Sequence, residues 1–511
     1  MAPAPPQSMT RDEKEEAPVT SIGSRIWRGP GGPESKCQTR EEAEAWAKEW
    51  EAQYKRQPHD DDLYFMPQRL YELLEPLPDG SPAPVQLLKG SWVLKRAEQL
   101  RRCKTDDERA RLRMPRRQEL PAEAFLSAAE VRALPRGHAG YFLETCGLSG
   151  GGCARPCFYE CACCIPWRWP TLVKAVHPLH EDQLAKKPLM AASISHGWLT
   201  SEHPDPLGQQ LVRFADQVRY EQQVCAGGCD KIMWKRSFYF VCCCGIPCFG
   251  QPCCKPPTAF SSGEFAVFYD WGSLMQKNEH GERTEAEYKS FDKALETMGV
   301  WYAHRLLTTF IMSELPEGWP KTEAARPFFP DGWLRDKGWP SFERAVSALI
   351  KPANSWSWQR IVQPGMAHLG MISGYRAPPL APQAFATELA LKVFTNGADV
   401  EMVAGLYADT VAGAIGNIDR LVFNDCEWKD EDAERLAEIL PLAKNATALD
   451  VSMNRIGTRG FGALAAAIRG GAAPQLETVK CKSGPQPTSF NPGDKTALRA
   501  ACEARNIKFF G

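Results

Sequence analysis

Short apolar runs alternate with amphipathic segments through the middle of the chain. The pattern predicts buried strands over residues 189–195, 265–269, 300–311 and 358–362, and helices over residues 207–222, 285–298 and 339–350. Each helical segment carries its apolar side chains on one face, as expected for helices that cover a sheet. Near-continuous apolar strands that alternate with such helices indicate an α/β fold with a parallel sheet.

The segments on either side of this region differ in character. Residues 1–36 are rich in proline, glycine and charge, which predicts a disordered tail. Further helices are predicted over residues 40–56, 92–113, 122–134, 381–394 and 400–415. We therefore expect residues 37–188 to form a helical arm that packs against the later domains, and residues 377–416 to form a helical connector.

The last part of the chain repeats a strand-and-helix pattern. Its strand positions are Ile418-x-x-Leu421-x-Phe423 and, 28 residues later, Ala446-x-x-Leu449-x-Val451, and a third strand begins at Leu476. The helical positions recur at the same offset. Residues 417–511 thus resemble leucine-rich repeats of the ribonuclease-inhibitor type. The resemblance implies a stack that presents a surface to a protein partner, with Cys426 and Asn454 satisfying backbone groups at the turns.

Length and charge limit the classes of function. A chain of 511 residues exceeds a single core, so several domains are expected. The formal net charge of −1 provides no overall field for nucleic acid. The sequence begins without a basic segment followed by an apolar one, and no apolar run reaches the roughly 20 residues of a membrane span. We therefore expect a cytoplasmic protein that does not bind nucleic acid.

Three motifs of the α/β region carry a second resemblance. They are Ile194-Ser195-His196-Gly197-Trp198, Asp270-Trp271-Gly272-Ser273 and Gly338-Trp339-Pro340-Ser341-Phe342-Glu343. Their order and spacing are similar to those of a TIR-like α/β domain found in uncharacterised protist proteins. The resemblance covers residues 189–376, with a Cys-rich insert at residues 223–262, and implies a TIR/flavodoxin-like parallel sheet.

The resemblance also implies candidate site residues. In NAD-cleaving TIR domains a glutamate at the Glu343 position is catalytic, and a carboxylate there would stabilise the positive charge that develops on ribose. Ser195, His196, Trp198 and Asp270 are then candidates for binding NAD. We expect these segments to meet at the carboxyl edge of the sheet. The alternatives are that Glu343 only favours the start of its helix and that Asp270 only caps a turn.

Fourteen cysteines lie in two clusters, between Cys146 and Cys164 and between Cys225 and Cys254. Three interpretations remain open. The spacing of Cys153 with Cys157, and of Cys225 with Cys229, fits two zinc knuckles. Alternatively, acylation within residues 242–254 would give peripheral membrane contact. The third interpretation is buried thiols or disulfides within a paired Cys-rich unit.

Together these features predict an intracellular interaction or signalling protein. It would combine a TIR-like module, able to form homo-oligomers as the resemblance implies, with a short repeat surface for a protein partner. The first alternative is an enzyme, a NAD glycohydrolase of TIR type that uses Glu343. The second is a membrane-tethered or structural scaffold without catalysis.

Overall fold

The computed structural model of the protein describes residues 35–55, 62–134, 189–200, 202–227, 263–319, 336–351, 361–362, 376–394, 399–424, 426–482 and 494–511. Residues 1–34 of the predicted tail lie outside these ranges. The predicted zinc ligands Cys153, Cys157 and Cys229 also lie outside them. Cys225 falls within the backbone of a helix whose side chains at this end are not described. The interpretations of the cysteine clusters therefore stay predictions.

Within residues 35–55 and 62–134, the N-terminal part supplies five α-helices and two strands. The helices are α1 (Arg40–Gln53), α2 (Pro67–Glu72), α3 (Gly90–Arg102), α4 (Asp106–Leu112) and α5 (Ala128–Ala133), and the strands are β1 (Leu87–Lys89) and β2 (Phe125–Leu126). Helices α1, α4 and α5 each begin with a capping box, in which a Ser or Thr side chain and a Glu three residues later satisfy each other's backbone N–H groups.

These capping boxes correct two of the predicted helices. The single helix expected over residues 92–113 is two helices, because Thr105 and Glu108 form a box that starts α4. The helix expected over residues 122–134 is a short 3-10 turn, strand β2 and then α5, because Ser127 and Glu130 form another box. Both boxes were readable in the sequence as S/T-x-x-E.

A six-stranded sheet forms the centre of the α/β region. Its remaining strands are β3 (Ala191–Ser195), β4 (Ala266–Phe268), β5 (Thr308–Ile311) and β6 (Ile361–Val362), and the order across the sheet is β2-β1-β4-β3-β5-β6. Strands β3 to β6 are parallel, as predicted, whereas β1 runs antiparallel to β4 and β2 antiparallel to β1. The sheet is therefore mixed, and the segment predicted as an arm extends it by two strands.

Helices cover both faces of this sheet. The helices described in this part of the chain are α6 (Gln209–Gly227), α7 (Asp270–Ser273), α8 (Glu285–Glu296), α9 (Met298–Ala303), α10 (Gly338–Ser347), α11 (Pro382–Ala390) and α12 (Asp399–Gly416). Of these, α11 packs on α1, and α12 packs on α9 and α10. Apolar side chains of α3 and α6 pack on one face, and those of α8, α9 and α10 pack on the other. The strand predicted over residues 300–311 is wrong in its first half, where α9 lies. Its uniformly buried residues have no periodicity that separates a short helix from a strand.

The C-terminal part is a stack of strand-and-helix units. Its elements are β7 (Arg420–Val422), α13 (Asp430–Ile439), β8 (Ala448–Asp450), α14 (Thr458–Arg469), β9 (Thr478–Lys480), α15 (Thr496–Glu503) and β10 (Lys508–Phe510). The four strands form a parallel sheet in the order β10-β9-β8-β7. The central residue of each of the first three strands is buried toward the helices, and its two neighbours are partly exposed.

Asn454 performs the role predicted for it. Its side-chain oxygen accepts hydrogen bonds from the backbone N–H groups of Cys426 at 2.8 Å and Trp428 at 3.2 Å. Its amide nitrogen donates to the carbonyl groups of Phe423 at 2.7 Å and Val451 at 3.0 Å. One amide therefore fastens two successive turns of the stack.

Arg376 joins the stack to the α/β region. Its side chain is almost fully buried and donates from Nε to the carbonyl oxygen of Ala348 at 2.8 Å and from Nη2 to that of Leu349 at 3.1 Å, just beyond α10. The same guanidinium lies over the ring of Phe423 at 5.0 Å, and Trp428 donates to the Arg376 carbonyl oxygen at 2.6 Å. One cluster of buried apolar side chains runs through both parts.

None of the helices in the described ranges combines the length and the apolar character needed to cross a membrane.

Replacing Arg376 with glutamine should destabilise the whole described fold. The change leaves buried carbonyl groups of Ala348 and Leu349 without donors, and we expect a loss on the order of 3 kcal/mol. Urea unfolding followed by circular dichroism measures this loss. The matched control is Arg469→Gln, at an exposed position at the end of α14, which should leave the midpoint nearly unchanged. Equal midpoints for the two variants would contradict the joining role of Arg376.

Candidate functional site

The ends of β3 and β4 bring the predicted site residues together. Ser195 is the last residue of β3 and His196 follows it, while Asp270 opens α7 directly after β4. Glu343 lies in the middle of α10, which packs on the face of the sheet that Ser195 points toward. Segments far apart in sequence therefore meet at one edge of the sheet because parallel strands end on the same side.

Helix α10 is held at both ends by the C-terminal half of the chain. At its start, Gly338 lies so close to the Phe394 ring that a Cβ there would stand 1.9 Å from a ring atom. Trp339 donates from its indole nitrogen to Asp399 at 3.1 Å, at the first residue of α12. Just past its end lie the carbonyl groups that Arg376 binds. These contacts fix the position of Glu343 over the sheet.

Glu343 is a buried and neutral acid. Its side chain is enclosed, with a residue exposure of 6%, and the hydroxyl groups of Ser195 and Tyr302 lie against its carboxyl group. Oε2 of Glu343 and Oγ of Ser195 are buried without a hydrogen-bond partner of normal geometry among the described residues. Burial raises the pKa of Glu343 to about 8, and the nearby charge of Asp270 adds to this rise. The carboxyl group is therefore largely protonated at neutral pH.

His196 and Asp270 form an ion pair next to Glu343. Nε2 of His196 lies 2.9 Å from Oδ1 of Asp270, and the imidazole stacks on the Tyr269 ring at 4.7 Å. Burial by itself would lower the pKa of His196, but the charge of Asp270 and the hydrogen bond to it outweigh burial, so that this pKa is raised. The same pairing lowers the pKa of Asp270 in spite of burial. Each group of the pair therefore favours the charged form of the other.

Trp198 contacts the Asp270 carboxylate of this pair. Its indole nitrogen donates to Oδ2 of Asp270 at 3.4 Å, and its ring meets Trp271 edge-on at 5.5 Å. The backbone N–H of Trp271 also donates to Asp270, at 2.7 Å. Trp198 is half-buried in this arrangement. Its contacts are those of a residue that packs the loop and positions Asp270.

His203 and Asp205 have structural partners. Nε2 of His203 lies 2.9 Å from the carbonyl oxygen of Met114, and its Nδ1 accepts from the backbone N–H of Asp205 at 3.0 Å. Burial lowers the pKa of His203 to about 4. The Asp205 carboxylate accepts from the backbone N–H groups of Gln209 at 2.8 Å and Leu211 at 2.9 Å, at the start of α6. Within the described ranges, no group of three or more acidic, His or Cys side chains is arranged to hold a metal ion.

Two tyrosines belong to the site and were not found from the sequence. Tyr269 stacks on His196, and the hydroxyl of Tyr302 donates to the carbonyl oxygen of Ile194 at 3.3 Å beside Glu343. Tyr302 lies in α9, in the segment that was predicted as a strand. A tyrosine within an apolar run has no sequence feature that distinguishes a site residue from core packing.

The site is closed in this structure. The side chains of Ser195, His196 and Glu343 are all buried, so the described residues leave no open cleft at the carboxyl group. The arrangement can hold a proton on Glu343 and a hydrogen-bonded pair, His196 and Asp270, 2.9 Å apart beside it. In this state Glu343 is a proton donor rather than a negatively charged group.

Comparison of the chain with protein-family models, with curated proteins and with solved structures gives no match.

Replacing Glu343 with glutamine should change how stability depends on pH. Glu343 binds its proton more tightly in the folded state than in the unfolded chain, so the parent protein loses stability as pH rises from about 4.5 to about 8. Glutamine is always neutral and removes this loss. Relative to the parent, the variant should gain on the order of 2–4 kcal/mol between these limits.

Urea unfolding at pH 5 and at pH 8.5 measures this gain. The control is Glu49→Gln, at an exposed position of α1, which should show no such gain. A constant difference between the Glu343→Gln variant and its parent across this range would show that Glu343 is not held protonated.

Proposed function

We propose that the protein is an intracellular interaction or signalling protein. In this proposal a TIR-like α/β body carries a short leucine-rich-repeat stack, and the outer face of the stack sheet binds a protein partner. The single observation that carries it is the register of β7 to β10, which aligns outward side chains in two rows across four strands. A sheet face with helices on its other side presents a rigid surface to a partner.

Three features of the stack support the repeat assignment. Cys426 and Asn454 stand 28 residues apart and are joined by a hydrogen bond, and Lys482 and Ser452 stand 30 residues apart and are joined likewise. Each unit runs from a short parallel strand to a helix, which buries its apolar face against the next unit. The Asn454 amide serves the turn as the repeat pattern predicts.

The TIR-like assignment rests on topology and on motif positions. Strands β3, β4, β5 and β6 are the first to fourth parallel strands of the chain, and their order β4-β3-β5-β6 is the 2-1-3-4 order of flavodoxin-like sheets. Ser195 and His196 end the first parallel strand, and Glu343 lies on a later helix, as the resemblance implies. A homo-oligomer formed through this body stays part of the proposal.

A second candidate is cleavage of NAD at Glu343. The observation that favours it is the convergence of Glu343, Ser195 and the His196–Asp270 pair, where three buried polar atoms are unpartnered among the described residues. A catalytic role is one explanation for buried polar atoms without partners. Stabilising the positive charge on ribose requires the carboxylate, so the buried acid must first lose its proton and gain access to NAD.

The interaction proposal predicts that photo-crosslinking depends on the face of the stack. A photoreactive amino acid at Thr478, on the outer face of β9, should give covalent adducts with partner proteins in the cells that make this chain. The matched position is Ala466, exposed on α14 in the helix layer, which should give far fewer. Mass spectrometry of the adducts measures the difference. Equal adducts at both positions, or none at Thr478, would contradict binding at the sheet face.

The enzymatic candidate predicts release of nicotinamide from NAD by the purified protein. Activity should rise as pH increases through about 8, because the fraction of ionised Glu343 rises there. Glu343→Gln should lower the rate by about 100-fold or more, whereas Glu49→Gln should leave it unchanged. Equal rates for parent and Glu343→Gln, or no release at any pH, would remove this candidate.

A further inference from the structure

The outer face of the stack carries unpaired positive charge at one end. Lys480 on β9 and Lys508 on β10 lie at outward positions of their strands, and Lys482 follows β9 as an exposed residue. None of the three forms a salt bridge within the described ranges, although many other cations of the chain do. These charges are therefore available to an anionic group of a partner.

Strand register fixes the spacing of this end of the face. Lys508 stands beside Thr478, and Phe510 beside Lys480, in the parallel pairing of β9 and β10. Lys480 and Lys508 lie diagonally opposite each other among these four residues. The strand spacing and the rise per residue place their Cα atoms about 8 Å apart. Thr478 has a short side chain, so it leaves space beside the two lysine side chains.

The apolar side chain of Phe510 lies beside Lys480 and Lys508. Phe510 is 44% exposed and is one of two large hydrophobic side chains that stand exposed in the described ranges. Its neighbour Phe509 points the other way and packs against the core. At protein interfaces, aromatic side chains are among the residues that anchor a partner.

We propose that this end of the stack face binds an acidic, extended segment of a partner protein. The proposal rests on the proposed function and names the chemistry of the partner at that surface. Carboxylates two residues apart in an extended chain are about 7 Å apart, which suits long lysine side chains about 8 Å apart at their Cα atoms. An apolar residue of the same segment would pack against Phe510.

Nucleic acid fits this surface less well. Asp450 is the neighbour of Lys480 on the other side in the same row, so the positive charge is interrupted after β9. A phosphate backbone carries charge continuously and needs a longer track of cations. A short acidic segment places its carboxylates on the lysines and leaves Asp450 uncovered.

Binding of a labelled peptide tests the proposal on the full-length protein. The probe is a fluorescein-labelled peptide of the repeating pattern Glu-Ser-Glu-Ser-Leu-Ser, which keeps the carboxylates and the Leu on one face of an extended chain. The comparison peptide has Gln in place of each Glu. Fluorescence anisotropy should show saturable binding of the acidic peptide that weakens as salt is added. The double variant Lys480→Glu, Lys508→Glu should weaken it by about tenfold or more, and Phe510→Ala by a smaller factor.

The matched control is Arg469→Glu on the helix layer, which reverses one exposed charge away from the face and should leave binding unchanged. Circular dichroism checks that each variant is folded, and Lys480→Gln, Lys508→Gln provides a milder pair. Two outcomes overturn the proposal: equal binding by the parent and both lysine pairs, or displacement of the peptide by single-stranded DNA at lower concentration than by unlabelled peptide. If crosslinking at Thr478 captures a partner while the acidic peptide does not bind, the interaction function stands and the acidic partner is wrong.

Discussion

The buried guanidinium of Arg376 is the contact on which the arrangement of the chain depends. It donates to carbonyl groups just past α10 on one side and lies over Phe423 of the first repeat unit on the other. Removing a charge of this kind from water is costly, and the cost is offset only when its N–H groups are satisfied. The α/β region and the stack are therefore held in one orientation relative to each other, with a continuous apolar core between them.

The same arrangement determines what Glu343 can do. Helix α10 is fixed to Asp399 at its start and to Arg376 at its end, so the carboxyl group of Glu343 is buried against the sheet and keeps its proton. The hydrogen-bonded pair of His196 and Asp270 lies beside this neutral acid.

Much of the fold could be predicted from the local pattern of apolar and polar residues in the sequence. The predictions that were wrong or missing have physical causes. The offset of 28 residues between repeats placed the strands and Asn454 correctly, because each unit must bury the same stripe against its neighbour. The meeting of Ser195, Asp270 and Glu343 followed from the rule that parallel strands end together. Strands β1 and β2 were missed because strands of two or three residues are too short to show an alternating pattern. Their partners are also distant in sequence, since β1 pairs with β4 and β2 pairs with β1. Tyr302 and Arg376 were missed for the same reason: their partners are distant in sequence.

Hydrogen exchange under increasing denaturant, followed by mass spectrometry, tests the central claim that the α/β region and the stack unfold as one unit. Amides of β3 and β8 lie in different sheets, and we expect them to exchange with the same opening free energy and the same dependence on denaturant. Exchange of β8 at clearly lower denaturant, with β3 still protected, would mean that the stack is an independent domain and that Arg376 does not join the two.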